Sequence, residues 1–302
     1  MHVGVAMAFS HLVSPEFIAA AARRVEAVGF RTLWVPEHVL FFPDYASAYP
    51  YSGDGKIPGD PEGVLDPFTA LTYIAAHTTT IRLGTGICLV PQRQPVYTAK
   101  AVADLDYLSG GRVDFGVGIG WLAEEFANLQ MDFTTRGTRC LEYIEIMRAL
   151  WTPGISAYSS ETYCLSECYF NPKPVQQTGR QPGPPVFFGG ESDAALRRTV
   201  SHGAGWYGFN LDPATLELRL ARLTEFAAAA GRDPGEIRVI VGAARDSLNE
   251  ADVSRFRSLG VEQLVVPLMA ADMARLDARL ERLLVATGLS TDLEENVYKS
   301  KN

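Results

Sequence analysis

Glu37 and His38 place a carboxylate and an imidazole side by side where an apolar segment ends. The segment TLWV (32–35) has the composition of a short buried strand, and Pro36 stops it because proline has no backbone N–H to donate to a neighbouring strand. An acid beside an imidazole is suited to proton transfer near neutral pH, and α/β proteins carry such pairs at the carboxyl ends of parallel strands. The pair therefore marks a candidate catalytic site, with a helix cap or a surface ion pair as the alternative.

Three glycine-rich segments stand where further strands would end, and they suit a flat or anionic ligand. They read GTGIC (84–88), GVGIG (116–120) and GGES (189–192), the last followed within two helical turns by Arg197 and Arg198. Glycine lets the backbone approach a ligand closely, and a helix that starts after GGES would direct N–H groups and its positive dipole end at a phosphate. Tight turns or an ordinary helix N-cap would explain the same residues. The G-x-G-x-G spacing of GVGIG differs from the G-x-G-x-x-G of nicotinamide dinucleotide sites, so no such site is predicted.

Short apolar segments alternate with longer helical patterns along the chain. Their periodicity predicts eight strands that are buried on both faces, as in a parallel sheet. The predicted strands are 3–7, 32–35, 81–87, 113–118, 185–189, 205–209, 237–242 and 263–268. Eight strand–helix units with right-handed crossovers predict a (β/α)8 TIM barrel that forms a single domain over residues 1–302, with a doubly wound open sheet as the alternative.

Two long segments interrupt this alternation. Residues 39–65, rich in aromatic residues, glycine and proline, follow the second strand, and residues 152–184 precede the fifth. Segments of this length in a compact domain are usually lids or binding loops, so we expect 39–65 to cover the site, with simple packing over the barrel end as the alternative. The second segment contains a predicted hairpin in ISAYSS–ETYCLSECYF (155–170).

Composition limits the classes of partner. The formal net charge is −8 and no cluster of Lys and Arg is present, so a nucleic-acid partner is not expected. No apolar stretch approaches 18 residues and no charged-then-apolar leader is visible, so we expect a cytoplasmic protein without a membrane span. Four cysteines are too few for a disulfide framework, and neither they nor any His-x-His at a strand end predicts a metal site.

Taken together in their order, these segments resemble the bacterial luciferase-like flavin/deazaflavin oxidoreductase superfamily, and in particular its coenzyme F420-dependent branch. The resemblance covers about two-thirds of the chain, from Met1 to Gly208. It is carried by GFRTLWVPEH, DPFTALTYIAAHTTTIRLGTGI, LSGGR, GVGIGW–EEF, EYIEIMRALWT, NPKPVQ and PPVFFGG. That superfamily has a (β/α)8 barrel, in agreement with the eight predicted strands.

The resemblance implies roles for particular residues. His38 matches the family's histidine beside the flavin or deazaflavin ring, and Glu37 is adjacent to it. The remaining matches are to cofactor contacts: a backbone bend that supports the ring and often contains a non-proline cis peptide bond, a second ring contact, and the phosphate site. In chain order these residues are Gly86 and Ile87, Gly120 and Trp121, and Gly189, Gly190 and Ser192.

The implied activity is hydride transfer between coenzyme F420 and a small, hydrophobic or planar organic substrate. We expect His38 to donate or accept the proton and Glu37 to orient it; the alternative is that His38 only hydrogen-bonds the ring. An FMN-dependent monooxygenase supplied by a separate flavin reductase is the competing activity, and a flavin-binding protein without turnover is the third.

Several further expectations follow from this interpretation. Arg93, Lys173 and Arg180 are candidates to meet the anionic tail of coenzyme F420, with an F420 or flavin reductase as redox partner. The alanine-rich helices of residues 66–150 would suit a homodimer. An aromatic mouth around the substrate is expected from Phe9, Trp34, Phe41, Phe42, Tyr45, Tyr49, Tyr51 and Trp121, with core packing as the alternative for Trp34 and the loop tyrosines as the better candidates.

Overall fold

The computed structural model describes residues 1–58, 63–178, 181–244 and 248–288. The first half of the chain contains β1 (His2–Ala6), α1 (Pro15–Val28), β2 (Thr32–Val35), α2 (Pro67–Ala75), β3 (Arg82–Thr85), β4 (Cys88–Leu89), α3 (Pro95–Ser109), β5 (Val113–Gly118), α4 (Ala123–Asn128) and α5 (Arg136–Trp151). The second half contains β6 (Ser156–Ser159), β7 (Cys164–Cys168), β8 (Gln177–Thr178), β9 (Gln181–Pro182), β10 (Val186–Gly189), α6 (Asp193–His202), β11 (Gly205–Leu211), α7 (Pro213–Ala229), β12 (Arg238–Ala243), α8 (Glu250–Ser258), β13 (Gln263–Pro267) and α9 (Met273–Thr287).

Eight of these strands form a closed parallel barrel with helices between them. The strand order is β1, β2, β3, β5, β10, β11, β12 and β13, and β13 pairs again with β1. All eight strands expected from the apolar segments are present, so the prediction of a (β/α)8 barrel is confirmed. The predicted third strand is divided: β3 ends at Thr85, and the chain pairs again with β5 as β4 after the Gly86–Ile87 peptide.

Local signals in the sequence set where several helices begin. Ser14 accepts the backbone N–H of Phe17 at the start of α1, and Asp66 accepts that of Thr69 at the start of α2. Each of these caps satisfies a helix N–H that has no partner inside the helix, and a proline occupies the next position in both cases. Since the helices of a parallel barrel begin at the carboxyl ends of the strands, these caps lie at the end that carries the candidate site.

The interior of the barrel is organised around Trp34, which has no exposed surface. Its indole Nε1 donates to Gln263 Oε1 at 2.8 Å, and its ring contacts Tyr207 at a centroid distance of 5.0 Å. A Cβ at Gly84 on β3 would lie 2.3 Å from Trp34 Cε3, so only glycine leaves room for the indole there. Trp34 and the buried Phe9 therefore belong to the core and not to the aromatic mouth.

The segment between α5 and β10 runs along the outside of the barrel. β6 and β7 form the antiparallel hairpin that the sequence predicts, and Tyr158 donates to Glu145 of α5 at 3.0 Å. The Lys173 ammonium donates to the carbonyl of Leu150 near the end of α5, which is the opposite end of the barrel from His38. Lys173 is therefore not a cation of the cofactor rim, and Arg180 lies outside the described residues.

Candidate active site

His38 lies just after β2 with a hydrogen-bond partner at each ring nitrogen. Nδ1 is 2.9 Å from Glu125 Oε2, and the Trp121 indole Nε1 donates to Nε2 at 3.3 Å. The imidazole also packs against Phe41 at a centroid distance of 4.9 Å, and only 14% of the side chain is exposed. The ring is therefore fixed at both nitrogens by residues from the segment between β5 and α4 and from α4 itself.

Glu125, which the sequence analysis did not single out, is the carboxylate that orients His38. It has no exposed surface, and four groups lie within hydrogen-bond distance of its two carboxylate oxygens. Oε1 accepts the backbone N–H groups of Val39 (2.6 Å) and Leu40 (3.0 Å), and Oε2 accepts from Gln92 Nε2 at 2.8 Å as well as facing His38. A buried carboxylate is stable only when its oxygens are hydrogen-bonded in this way.

A signal for Glu125 was available in the sequence. It lies three residues after Leu122 and directly before Phe126, so helical periodicity places it on the apolar face of a short helix. Both of those neighbours are buried. An acid on a buried helix face requires a donor from elsewhere in the fold, which marks it as a candidate site residue.

The structure corrects the expected partner of His38, because Glu37 does not contact it. Consecutive residues of an extended chain direct their side chains to opposite sides, so neighbouring residues at a strand end do not bond each other. Glu37 Oε2 accepts the backbone N–H of Leu89 at 2.5 Å, and its Oε1 pairs with Arg93, which also pairs with Asp66. Glu37 and Arg93 therefore hold β4 and the start of α2 against the end of β2, and Arg93 is not free to meet a cofactor tail.

The peptide bond between Gly86 and Ile87 is cis, as the resemblance led us to expect. The Ile87 side chain projects toward the ends of β5 and β10. A Cβ at Gly118 would lie 2.1 Å from Ile87 Cδ1, and one at Gly189 would lie 2.7 Å from the same atom. The glycines at these two strand ends are therefore needed for the close approach of Ile87.

Trp121 is the centre of a group of aromatic rings above His38. Its indole makes edge-to-face contacts with Tyr45 and Tyr49 at centroid distances of 5.7 and 5.2 Å. Gly120 before it has a φ of 77°, and a Cβ there would lie 2.7 Å from the Phe126 ring. Glycine is thus required at 120 for the turn that directs Trp121 to His38.

Residues 39–58, which we call the strap, contact the turn after β5 and the loop after β10. Glu124 accepts the backbone N–H groups of Ala46 (2.6 Å) and Ser47 (3.1 Å) and the Ser47 hydroxyl (2.7 Å). These bonds, that of the Ser47 hydroxyl first, lower the pKa of Glu124 to about 2. The strap is therefore attached to the helix that also carries Glu125.

The second attachment joins Tyr51 of the strap to Glu191 after β10. The Tyr51 hydroxyl donates to Glu191 Oε2 at 2.9 Å, and the Phe209 backbone N–H donates to Oε1 at 2.8 Å. Burial raises the pKa of Glu191, although both hydrogen bonds act in the opposite direction. No salt bridge joins Glu191 to a cation in the described part of the chain, so its charged form is held by these two neutral donors and by the more distant charge of Arg219.

Gly189, Gly190 and Ser192 form the turn at which α6 begins. Gly190 has a φ of 97°, and a Cβ there would lie 3.2 Å from that of Ala195. Ser192 caps the helix by accepting the Ala195 N–H at 3.2 Å. The other N–H groups of this first turn have no partner inside the helix, so they are available to an anion.

The acidic residue of this turn, Asp193, is directed away from it. Its carboxylate pairs with Arg219 and Arg222 of α7 at 2.7 Å each, and these pairs lower its pKa to about 2. The negative charge of Asp193 is therefore compensated from the side of α7, which removes an obstacle to an anion at the N-terminus of α6.

Two guanidinium groups lie between α6 and the start of α5 without a described carboxylate partner. Arg198 lies beside Gly137, where a Cβ would be 3.6 Å from its Nη1, and near Arg136. Burial lowers the pKa of both arginines, as expected for cations that are partly removed from water. Arg197, by contrast, stacks over the Phe226 ring at 3.9 Å on the side of α7. Of the two arginines that the sequence suggested, only Arg198 faces the barrel end near Arg136.

A cavity of about 190 Å³ opens beside His38, between the end of β2 and the start of α2. Three of its lining residues are apolar, and its two carboxylates are those already paired with Arg93. The lining residues are Glu37, His38, Val39, Val64, Asp66 and Pro67. This composition suits a small, largely apolar group next to the imidazole.

Two features are absent from residues 1–58, 63–178, 181–244 and 248–288. Within these ranges no group of three or more His, Cys, Asp or Glu side chains is arranged to hold a metal ion. No helix there is both long and apolar enough to cross a membrane.

Comparison with known proteins places the chain in a family. The sequence profile described as "Luciferase-like monooxygenase" matches residues 1–252. An uncharacterized protein of Mycobacterium tuberculosis is 35% identical to this chain, over 94% of this chain and 97% of its own length. The F420-dependent hydroxymycolic acid dehydrogenase of the same species is 27% identical, over 86% of this chain and 69% of its own length. The crystal structure of the monooxygenase RslO1 from Streptomyces bottropensis superimposes with a TM-score of 0.72 at 20% identity, covering 94% of this chain and 98% of that one. The chain belongs to the luciferase-like oxidoreductase family.

Proposed function

We propose that the protein is a coenzyme F420-dependent oxidoreductase that transfers a hydride between the deazaflavin and a small, hydrophobic organic substrate. The observation that carries this proposal is the arrangement of His38 at the end of β2, hydrogen-bonded to the buried Glu125 and to Trp121. An imidazole held in this way at the carboxyl end of a barrel strand is suited to exchange a proton with a substrate.

The described residues fit a cofactor that has a planar ring and a phosphate. Gly86 and Ile87 form the bend between β3 and β4 against which a ring can rest, and Gly120 and Trp121 border the same space. The N-terminus of α6, with Gly189, Gly190 and Ser192, offers backbone N–H groups to the phosphate. Arg198 and Arg136 supply positive charge nearby that no described carboxylate neutralises.

In this proposal the bound deazaflavin supplies the hydride donor or acceptor, and the chain supplies position and protons. His38 Nε2 exchanges the proton, and Glu125 holds the imidazole through Nδ1. The cavity lined by Val39, Val64 and Pro67 accepts the apolar part of the substrate and keeps water from it.

The choice of coenzyme F420 rests on the similarity to the F420-dependent hydroxymycolic acid dehydrogenase of Mycobacterium tuberculosis. Two of the three cations expected at the rim do not support it, since Arg93 is paired with Glu37 and Asp66, and Lys173 is bound at the other end of the barrel. Arg198 and Arg136 replace them as the groups that would meet an anionic part of the cofactor.

The alternative is an FMN-dependent monooxygenase supplied by a separate flavin reductase. It is favoured by the description of the matching family profile and by the structural likeness to the monooxygenase RslO1. The same residues would hold the flavin, so the cofactor itself must be identified by binding.

The test is a titration of the purified protein with coenzyme F420 and with FMN, each oxidised and reduced, followed by fluorescence and calorimetry. We expect micromolar or tighter binding of F420 and at least tenfold weaker binding of FMN. Gly190→Ala, which places a methyl group 3.2 Å from the Ala195 Cβ at a positive φ, should weaken F420 binding, and Gly53→Ala, where a Cβ meets nothing within 4 Å, is the matched control. A tenfold preference for FMN would favour the monooxygenase, and failure of both ligands to bind would refute the proposed cofactor site.

We also propose a homodimer formed through α3. Tyr97 and Leu108 are 80% and 66% exposed, and a spacing of eleven residues places them on one side of the helix. The mass of one chain is 32.9 kDa. Sedimentation of the wild-type protein should give twice that mass, and the double variant Tyr97→Asp/Leu108→Asp should give the mass of the monomer. Leu218 of α7 is 70% exposed, and Leu218→Asp provides the control on a helix away from α3. A cytoplasmic location and an F420 or flavin reductase as redox partner belong to the same proposal.

A further inference from the structure

We infer that Glu125 fixes His38 in the tautomer that carries its proton on Nδ1. We also infer that the Trp121 indole N–H fills the position at His38 Nε2 that the hydroxyl of a bound substrate would take. The reaction assigned to Nε2 rests on the proposed function, whereas the tautomer depends only on this chain. Glu125 is in this inference a positioning residue, because it acts on the substrate only through His38.

The hydrogen-bond donors around Glu125 determine whether His38 Nδ1 carries a proton. Four groups contact the Glu125 carboxyl. Three of them are N–H groups, which can only donate: the backbone N–H of Val39, the backbone N–H of Leu40 and the side-chain amide of Gln92. A carboxyl surrounded by donors acts as an acceptor at both oxygens, since a proton on it would face another proton. The remaining contact, at 2.9 Å to His38 Nδ1, must then also be donated to Glu125, so Nδ1 carries hydrogen.

The Trp121 indole determines whether His38 Nε2 acts as a donor or as an acceptor. The Trp121 indole has an N–H and no acceptor in the ring plane, so it can only donate. Its Nε1 lies 3.3 Å from His38 Nε2, which therefore acts as the acceptor and carries a free electron pair in the neutral ring. Both partners thus require the same tautomer, and they come from two ends of one short segment, Trp121 and Glu125.

The contact of Trp121 is the weaker of the two and can be exchanged. At 3.3 Å it is longer than an ordinary N–H hydrogen bond, and the ring is held otherwise by edge contacts with Tyr45 and Tyr49 of the strap. A hydroxyl between the two rings would donate to Nε2 and accept from Nε1, so both groups would keep a partner. An apolar substrate group would leave both without one, which favours a substrate with a hydroxyl or, in the reverse direction, a carbonyl.

In the oxidising direction the substrate O–H bond breaks, its proton binds His38 Nε2, and Glu125 stabilises the imidazolium at Nδ1. The hydride of the C–H bond at the same carbon would pass to a bound oxidised deazaflavin, so the alcohol would become a carbonyl compound as the deazaflavin is reduced. In the reducing direction the proton returns from Nε2 to the carbonyl oxygen.

The experiment is ¹⁵N NMR of the imidazole nitrogens in protein without cofactor, at a pH where His38 is neutral. We expect one tautomer, with a protonated-type shift for Nδ1 and a pyridine-type shift for Nε2. A neutral His38 with its proton on Nε2, or an even mixture, would overturn the inference. Since this measurement uses wild-type protein, it is decisive even if a variant at the buried Glu125 fails to fold.

Variants then separate the two contacts. In Glu125→Gln, His38 should be a mixture of the two neutral tautomers. Glu124→Gln is the control, because the adjacent carboxylate of Glu124 binds only the strap, and it should leave the tautomer of His38 unchanged. Trp121→Phe removes the N–H and should also keep the Nδ1 tautomer, because Glu125 still sets it. Equal effects of Glu124→Gln and Glu125→Gln on the tautomer would contradict a specific role of Glu125.

Kinetics with loaded enzyme provide the second readout. Glu125→Gln should lower kcat by about 10²-fold with a small change in KM, as for loss of acid–base catalysis. Trp121→Phe should raise the KM of an alcohol by about fivefold, the loss of one neutral hydrogen bond. A failed titration with coenzyme F420 would refute the proposed function while leaving the NMR result valid, so the two failures can be told apart.

Discussion

The hydroxyl of Tyr51 donates a hydrogen bond to Glu191 Oε2 at 2.9 Å, which joins the strap to the loop where α6 begins. The ring of Tyr51 also meets Phe209 of β11 edge to face at 4.8 Å. Because Glu124 holds the strap on its other side, residues 39–58 are attached to two different strand ends of the barrel. The strap therefore depends on two carboxylates whose pKa values are shifted in opposite directions.

We predict that Tyr51→Phe destabilises the protein by about 1–3 kcal/mol, since it leaves the partly buried Glu191 with one donor fewer. Burial raises the pKa of Glu191, so its contribution to stability is present below its ordinary pKa and is lost as the pH rises through the folded value. The variant raises that pKa further, and its deficit should be larger at pH 7.5 than at pH 5. Urea unfolding of both proteins across this range measures the difference. A deficit that grows toward acid pH would show that Glu191 is not the group involved.

A second prediction concerns the fit of Ile87 between two strand ends. Gly118→Ala would place a methyl carbon 2.1 Å from Ile87 Cδ1, and we expect a loss of about 1–3 kcal/mol in the free energy of unfolding. Ile87→Val removes that Cδ1, so the double variant Gly118→Ala/Ile87→Val should recover part of the loss. Chemical unfolding of the two single variants and the double variant gives the coupling. Simple additivity of the two losses would rule out the contact as their cause.

A third prediction separates two neighbouring arginines of α6. Arg198→Gln should weaken binding of the phosphate-bearing cofactor about tenfold, because Arg198 is directed toward Arg136 and has no described carboxylate partner. Arg197→Gln is the matched control, since that guanidinium stacks on Phe226, and it should change the affinity less than twofold. Calorimetric titration at two salt concentrations is the measurement, with the wild-type affinity falling more with salt than that of Arg198→Gln. Equal affinities of the two variants would exclude Arg198 from the anion site.

The fourth prediction concerns the ion pair between Glu37 and Arg93. The Glu37 side chain is only 1% exposed, so Arg93→Met leaves a buried carboxylate without its cation and should cost about 3 kcal/mol. Replacing both residues, as Arg93→Met/Glu37→Gln, should recover much of this loss because the buried charge is removed, while Asp66, the other partner of Arg93, is 43% exposed to water. Arg275→Met is the control: its partner Asp272 and Arg275 itself are more than half exposed, so the change should be within about 0.5 kcal/mol. Thermal unfolding at neutral pH compares the variants, and equal losses for Arg93→Met and the double variant would contradict the role of charge.

Much of the barrel could be predicted from the sequence because its signals are local. A strand buried on both faces is apolar throughout, a helix start needs a side-chain acceptor such as Ser14 or Asp66, and these patterns occur within a few residues. The end of β2 follows from the same kind of signal, because Pro36 stops the strand, whereas β3 ends two residues before the predicted end. The position of His38 at the carboxyl end of β2 was therefore determined by the sequence alone.

The partners of His38 were decided only by the tertiary structure. Glu37 is its neighbour in the chain, yet it bonds Leu89 and Arg93, while the carboxylate at Nδ1 belongs to Glu125, 87 residues further on. Closure of the barrel brings the end of β2 beside the turn after β5, and alternation along an extended chain turns adjacent side chains apart. The sequence by itself determined that His38 stands at the end of a buried strand; which residues meet it there depended on the packing of strands that are distant in sequence.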